Sequence, residues 1–353
     1  MKEQQTYKKR STVKNIFIGC SLFFFFLPSL WEGAGMGLFS QDAFFSQYNS
    51  APLLLNPAHT GNMDGKMRAC ANYKNQWKSF GAEAKVSALS VDFSLFSDSA
   101  KKEKLGIGIF FFNDKIGTMA YSTTDFGISI AFHTKNIEKK QYFSAGLQGG
   151  AFQKSVDINN LSWSSQFVGD HYDNTLLSGE IFYSDKVLRE NFSVGALWQY
   201  LPSEKFNAHC GMSIYHVNRP DVSFMKNNVD KLESRFSLHA GMDVALSGDN
   251  FFLSPKFLYM KQGYSRQYTI GLSAKKMLGK NSQQNSSFSA GVFYRFSAIA
   301  PVVQLEFNGM KLGISYDVNA GDFQSAFGNK GGMEISLTYV PSRKTNSNPS
   351  FHK

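Results

Sequence analysis

The feature that most constrains this chain is a hydrophobic alternation of period two that recurs between residues 66 and 340. Leu105, Ile107 and Ile109, for example, share one side of a segment whose other side carries glycines. A spacing of 180° per residue indicates a β-strand with one apolar and one polar face. The segments with this pattern are 66–77, 83–96, 104–113, 119–134, 141–153, 191–201, 207–217, 235–247, 251–261, 266–277, 287–296, 300–307, 310–318 and 331–340.

The lengths of these segments and of their connections favour a membrane barrel over a soluble sandwich. Many segments run near ten residues, as a tilted strand that crosses a bilayer requires, whereas soluble strands average about 5–6 residues. If the first strand starts in the periplasm, the three longest connections, 154–190, 218–234 and 319–330, all face outward. The connections at the opposite end are short, as in outer-membrane barrels. We therefore predict an all-β, transmembrane outer-membrane β-barrel of about 14 antiparallel strands.

The first 40 residues resemble a secretory signal peptide. Basic residues precede an apolar run from Ile16 to Trp31, and small residues follow that run. Pro28 interrupts the run, which at about 1.5 Å per residue barely approaches the roughly 30 Å hydrocarbon core as a helix. We expect cleavage between Gly37 and Gln41, and a mature protein in the outer membrane of a Gram-negative cell.

The mature chain is basic and poor in cysteine. Without residues 1–40 it keeps 32 Lys and Arg against 25 Asp and Glu. A secreted protein rarely meets nucleic acid, so we expect no nucleic-acid partner and attribute the charge to an anionic membrane face or acidic glycan. Only Cys70 and Cys210 remain after cleavage, which excludes a disulfide framework.

The stretch between the signal peptide and the first strand has a different character. Pro52 and Pro57 remove backbone donors and favour extended neighbours, and they enclose a short apolar run. Such a run in irregular backbone needs a surface to pack against. We therefore divide the chain into a signal peptide (1–40), an N-terminal periplasmic or plug segment (41–65), the barrel (66–340) and a polar tail (341–353).

This stretch contains the motifs Phe45-Ser46-Gln47-Tyr48 and Pro52-Leu53-x-Leu55-Asn56-Pro57-Ala58-x-x-Gly61, and Asn75-Gln76-Trp77 follows shortly after. These motifs resemble the start of the mature PorP/SprF family of type IX secretion outer-membrane proteins of Bacteroidetes. Further motifs are Tyr215 to Pro220, and Gly313 to Asp317. His59 stands where a larger residue such as Tyr is expected. The candidate docking residues that carry the resemblance are Phe45, Ser46, Gln47, Tyr48, Pro52, Leu53, Leu55, Asn56, Pro57, Ala58, Gly61, Asn75, Gln76 and Trp77.

No enzyme motif accompanies these features. The mature histidines are isolated in sequence, and His209 and His216 are an odd number of residues apart, which in one strand predicts opposite faces. Gly106 and Gly108 begin a phosphate-binding pattern that lacks its third glycine and its helix. We predict no catalytic site, no metal site and no cofactor.

One predicted outer loop, 154–190, is rich in aromatic residues among Ser, Asp and Asn. Exposed aromatic side chains between short polar ones suit recognition of a protein or glycan; a loop folded over the barrel mouth is an equal alternative. The candidate recognition residues are Trp163, Phe167, His171, Tyr172, Phe182 and Tyr183.

The resemblance implies a non-enzymatic role in type IX secretion, and in gliding species a role in the delivery of surface adhesins. It implies as partners the outer-membrane lipids, the periplasmic components of the machine, and secreted cargo with a C-terminal secretion domain. Two alternatives remain open: a channel for small solutes, and a passive structural barrel anchored to peptidoglycan partners.

Overall fold

The structure is a computed structural model. It describes residues 42–76, 83–95, 103–117, 121–157, 164–173, 175–177, 184–225, 229–246, 250–278, 286–295, 298–320 and 330–341. The barrel and the residues that lead into it belong to one compact unit, Gln41–Lys353. Among the described residues, no helix is long and apolar enough to span a membrane.

Fourteen antiparallel strands form a closed barrel in which each strand pairs with its neighbours in sequence, and β1 pairs with β14 to close the ring. This confirms the predicted fold. The strands are β1 Met67–Gln76, β2 Ala84–Leu95, β3 Glu103–Ile116, β4 Tyr121–Asn136, β5 Gln141–Ser155, β6 Lys186–Ser203, β7 Phe206–Tyr215, β8 Arg235–Ala245, β9 Phe251–Gln262, β10 Ser265–Met277, β11 Ser287–Arg295, β12 Ala298–Phe307, β13 Met310–Asn319 and β14 Lys330–Tyr339.

The period-two pattern turns the apolar side chains outward. Ile109 and Leu147 are 60% and 64% exposed on the outside, whereas the inward-facing Asp92 and Glu334 are fully buried. A soluble protein would bury the apolar face, so this inverted pattern is that of a barrel surrounded by lipid. Burying charge inside requires partners, and the lumen supplies them.

The two ends of the barrel differ in their connections. We call the end where odd strands finish the loop rim, because it carries the connections 156–185, 216–234 and 320–329. We call the other end the turn rim; its connections include the two-residue turns 204–205 and 308–309. The positive φ angles of Asn308 and Gly309, 49° and 80°, suit the tight hairpin between β12 and β13.

Strand boundaries differ from expectation mainly at the loop rim. β6 starts at Lys186 rather than at residue 191. Its first residues, several of them charged, pair with the end of β5. Charged residues obscure the alternation there because the hairpin extends into water. β7 ends at Tyr215 rather than at residue 217, because His216 adopts a left-handed φ of 56°.

Candidate functional site

The barrel lumen contains the chain that precedes β1, residues 42–66, which we call the inner segment. Its regular parts are single turns: 3₁₀ turns at Tyr48–Ser50 and Pro57–His59, and a four-residue helix, α1, at Pro52–Leu55. Each proline sits at the first position of its turn, where a missing N–H costs nothing. The two prolines therefore keep the segment irregular, and most of its side chains are buried.

Glycines on the inner face of the strands make room for this segment. A Cβ atom at Gly106 of β3 would lie 2.0 Å from the carbonyl oxygen of Thr60, and one at Gly146 of β5 would lie 2.3 Å from the carbonyl carbon of Pro57. Both distances are impossible for a real side chain, so the segment backbone packs directly on the strand backbone. Gly195 and Gly313 provide the same clearance for the side chains of Asn56 and Gln47.

Apolar contacts hold the first half of the inner segment on two sides. Phe45 and Ala51 pack with Val86, Ala88 and Phe112 of β2 and β3. On the opposite wall, Tyr48 and Leu55 pack with a second apolar group; the ring of Tyr48 meets that of Phe293 edge-on, at 6.0 Å between centroids. Leu53 is completely buried. Burial of each such side chain contributes about 1.5–3 kcal/mol.

Asn56 is the polar centre of the segment. Its side-chain Nδ2 donates to the carbonyl oxygens of Ala196 and Met212, at 2.9 and 3.0 Å, on the neighbouring strands β6 and β7. Its Oδ1 accepts from the N–H of Ala58, 2.9 Å away, and so caps the turn that starts at Pro57. A fully buried amide thus joins the segment to the barrel wall.

The carbonyl groups of α1 are also paired with the wall. Gln148 Nε2 and the Tyr215 hydroxyl both donate to the carbonyl oxygen of Leu53, each at 2.8 Å. Ser213 Oγ donates to the carbonyl of Leu55. Because α1 is one turn long, these side chains satisfy backbone groups that a longer helix would pair internally.

A buried cluster of charges binds the segment near the loop rim. The carboxylate of Glu334 on β14 accepts the N–H groups of Ser46 and Gln47, at 2.7 and 2.8 Å. Asp317 on β13 accepts from Ser46 Oγ and forms ion pairs with Lys74 and Arg295, at 2.9 and 2.7 Å. Lys74 belongs to β1 and lies 3.8 Å from Glu334. Two cations therefore compensate two buried carboxylates.

Near the turn rim, the segment ends in a second polar group. Arg68 and Asp92 form an ion pair at 2.7 Å, and Asp92 also accepts the N–H of Gly61. His133 bonds the carbonyl oxygen of Thr60 at 2.8 Å. Gly61 itself has a φ of 70°, which glycine adopts without strain as the chain turns toward β1.

The candidate docking residues from Phe45 to Gly61 thus all lie in the lumen. At the end of β1, Asn75 donates to Glu83 and Gln76 donates to Asp317, at 2.8 and 3.2 Å; Trp77 lies outside the described residues. The motifs Phe45–Tyr48 and Gly313–Asp317, which are far apart in sequence, meet through Ser46 and Gln47.

The candidate recognition loop is described only in part. Phe167 and Tyr172 are about half exposed, and their rings lie 5.1 Å apart at a small β-bridge. His171 is exposed and pairs with Asp170. Trp163, Phe182 and Tyr183 lie outside the described residues.

Sequence reasoning missed how the histidines group. The rings of His59 and His239 lie with their centroids 5.2 Å apart and their planes tilted by 32°, and the ring of His209 lies 6.0 Å from that of His239. The prediction that His209 and His216 face opposite sides was wrong: the left-handed turn after β7 buries His216 against the segment. Within the described part of the chain, no group of three or more His, Cys, Asp or Glu side chains is placed to hold a metal ion.

A closed 14-stranded barrel with an apolar outer band defines the class: this is an outer-membrane β-barrel protein, here with an occupied lumen. A family model for the type IX secretion system membrane protein PorP/SprF matches residues 38–339. The chain belongs to the PorP/SprF family, and its place is the outer membrane.

Comparison with solved structures finds matches of low sequence identity. The Pseudomonas putida toluene transporter TodX is 12% identical, with 88% of this chain and 98% of that chain covered and a TM-score of 0.49. The CymD monoaromatic hydrocarbon channel is 15% identical, with 85% and 94% covered and a TM-score of 0.47. A BamA structure from Haemophilus ducreyi is 10% identical, with 78% and 70% covered and a TM-score of 0.41. The search of curated proteins finds no match.

Proposed function

We propose that this protein is a plugged, non-enzymatic component of the type IX secretion machine that bridges periplasmic parts of the machine and cargo with a C-terminal secretion domain. Membership in the PorP/SprF family supports the secretion role. In gliding species, surface adhesins are the expected cargo. The barrel then serves as a fixed outer-membrane platform whose inner segment is required for docking.

The observation that carries this proposal is the way the inner segment fills and is bonded into the lumen. Near the loop rim the segment is hydrogen-bonded to Glu334, and near the turn rim it is hydrogen-bonded to Asp92. In the middle of the barrel its own Asn56 bonds the strand backbone. A cavity of about 50 Å³ lies beside it, which is room for a few water molecules. A passive solute channel needs a continuous path, and this segment occupies part of the lumen through which such a path would run.

The test is deletion of residues 44–61 in the producing organism. For a docking segment, the truncated barrel should reach the membrane, while cargo export and copurification of periplasmic machine components should fail. Proteomics of the secreted and cell-surface fractions measures the first outcome. An assembled barrel that exports cargo normally would refute docking, and increased uptake of small solutes with normal export would support the channel alternative.

A matched control separates loss of the segment from damage to the barrel. Deletion of residues 342–353, which follow β14 in sequence, removes twelve residues where the other variant loses eighteen, and should leave export unchanged. Both variants should migrate faster on gels unheated than boiled, because a closed barrel resists detergent.

A further inference from the structure

The direction of the inner segment through the barrel defines where the start of the mature chain lies. At the turn rim, the carbonyl of Met63 accepts from Lys104 near the start of β3, and Gly65 lies against Val340 after β14. Asn56 is held in the middle of the strands, by Ala196 and Met212. Going backwards in sequence, the segment therefore rises from the turn rim toward the loop rim.

Asp42, the first described residue, is bonded at the loop rim itself. Its carboxylate lies 2.7 Å from Nε2 of His216, just after β7, and 3.0 Å from Nη1 of Arg235, the first residue of β8. Its N–H donates to Gln262, the last residue of β9, at 2.9 Å. β7 and β9 end, and β8 begins, at the loop rim. These three contacts therefore place Asp42 at the loop rim.

This anchor is built into the wall rather than formed by mobile surface charges. The side chains of Asp42, His216 and Arg235 are 11%, 3% and 10% exposed. His216 bonds Asn191 through its other ring nitrogen, and Arg235 lies 4.1 Å above the ring of Tyr215. Burial alone would raise the pKa of the Asp42 carboxyl, but His216 and Arg235 hold it well below its usual range.

We propose that the inner segment enters the lumen at the loop rim, on the cell surface, and that Asp42 fastens it there to His216, Arg235 and Gln262. The inner segment then crosses the lumen from the outer face to the periplasmic face before β1 begins. Short turns face the periplasm in outer-membrane barrels, which sets the direction. This inference does not depend on the proposed role in secretion.

The test is proteolysis of intact cells that carry a protease recognition site inserted between Gln41 and Asp42. A matched variant carries the same site after Pro341, which follows β14 at the turn rim. A protease that cannot cross the membrane should cut the first variant in intact cells and the second only after permeabilisation. Cleavage of the second site alone, of both sites or of neither site in intact cells would overturn the proposal.

Two cysteine variants test the same direction without an insertion, in a chain with Cys70 and Cys210 replaced by Ser. Ala43→Cys should react with an impermeant maleimide in intact cells, whereas Asp64→Cys, at the other end of the segment, should react only after permeabilisation. The reverse pattern would refute the direction.

The contribution of Asp42 to holding the segment can be measured as a rate of proteolytic cleavage. Asp42→Asn should raise the rate of cleavage at the N-terminal site at least about tenfold, since it removes a charge-assisted contact. Asp64→Asn, which changes an exposed carboxylate of the same segment, should leave the rate unchanged. Equal cleavage rates for the two variants would show that Asp42 does not hold the segment at the loop rim.

Discussion

Replacement of Asn56 by Asp should release the inner segment from the barrel wall. The two side chains have the same shape, but Asp lacks the Nδ2 donor that now bonds the carbonyl oxygens of Ala196 and Met212 at 2.9 and 3.0 Å. A carboxylate oxygen in that place faces two carbonyl oxygens in a site that is fully buried. Repulsion thus replaces two hydrogen bonds.

The magnitude follows from these contacts. Loss of two buried hydrogen bonds costs about 1 kcal/mol each, and burial of the carboxylate adds to this cost, although Nε2 of His239, 3.2 Å from Nδ2 of Asn56, offers it a donor. Asn56→Ala, which loses the two bonds and the cap on Ala58, should cost about 2–4 kcal/mol. Because each 1.4 kcal/mol is a tenfold change in an equilibrium constant, the released form of the Asp variant should increase by at least about thirtyfold.

The assay is limited proteolysis of the purified, folded barrel, with cleavage inside residues 42–66 read by mass spectrometry. Asn49→Asp is the control, because Asn49 belongs to the same segment but lines a cavity with Lys256, where a carboxylate has a cationic neighbour. Acidification should slow cleavage of the Asn56→Asp variant, since a protonated carboxyl regains a donor. A segment as protected in Asn56→Asp as in the parent chain at neutral pH would refute the reasoning.

Other predictions follow from the two faces of the strands. Gly146→Ala should displace the segment and expose it to protease, whereas Gly149→Ala on the same strand meets only a flexible ring at 3.3 Å and should be neutral. Ile130→Arg, on the lipid face, should reduce assembly by a cost of about 2–4 kcal/mol, whereas Ile130→Ala keeps that face apolar and should assemble as the parent protein does; equal yields of the two variants in a membrane-fraction blot would refute the assignment of Ile130 to the lipid face. The parent protein should fractionate with outer membranes, and recovery as a soluble periplasmic protein would contradict the barrel.

The barrel could be predicted from sequence because its signal is local. Alternation, strand length and connection length can each be read within a few dozen residues. Because the outer face of every strand contacts lipid, that face is apolar, and the alternation is clear in the sequence.

The path of the inner segment could not be predicted, because its partners are distant in sequence. Ser46 and Glu334 are 288 residues apart, and Asn56 is 183 residues from His239. Glycines within strands were the available signal, since they mark close backbone approach. In the sequence, Gly106 and Gly146 are only members of the non-apolar face of alternating strands. That pattern does not show that another part of the chain lies against them.

The contacts of Glu334 also indicate when the inner segment enters the lumen during assembly of the barrel. Glu334 is on the last strand, Lys74 is on the first, and the Ser46–Gln47 backbone bonds the same carboxylate that lies beside Lys74. A ring that had already closed would admit this segment only by threading it end-on past side chains that leave little space. We therefore expect the segment to lie in place before closure and to be enclosed as β14 joins β1. Time-resolved refolding should then show the heat-modifiable form and protease protection of the segment appearing together.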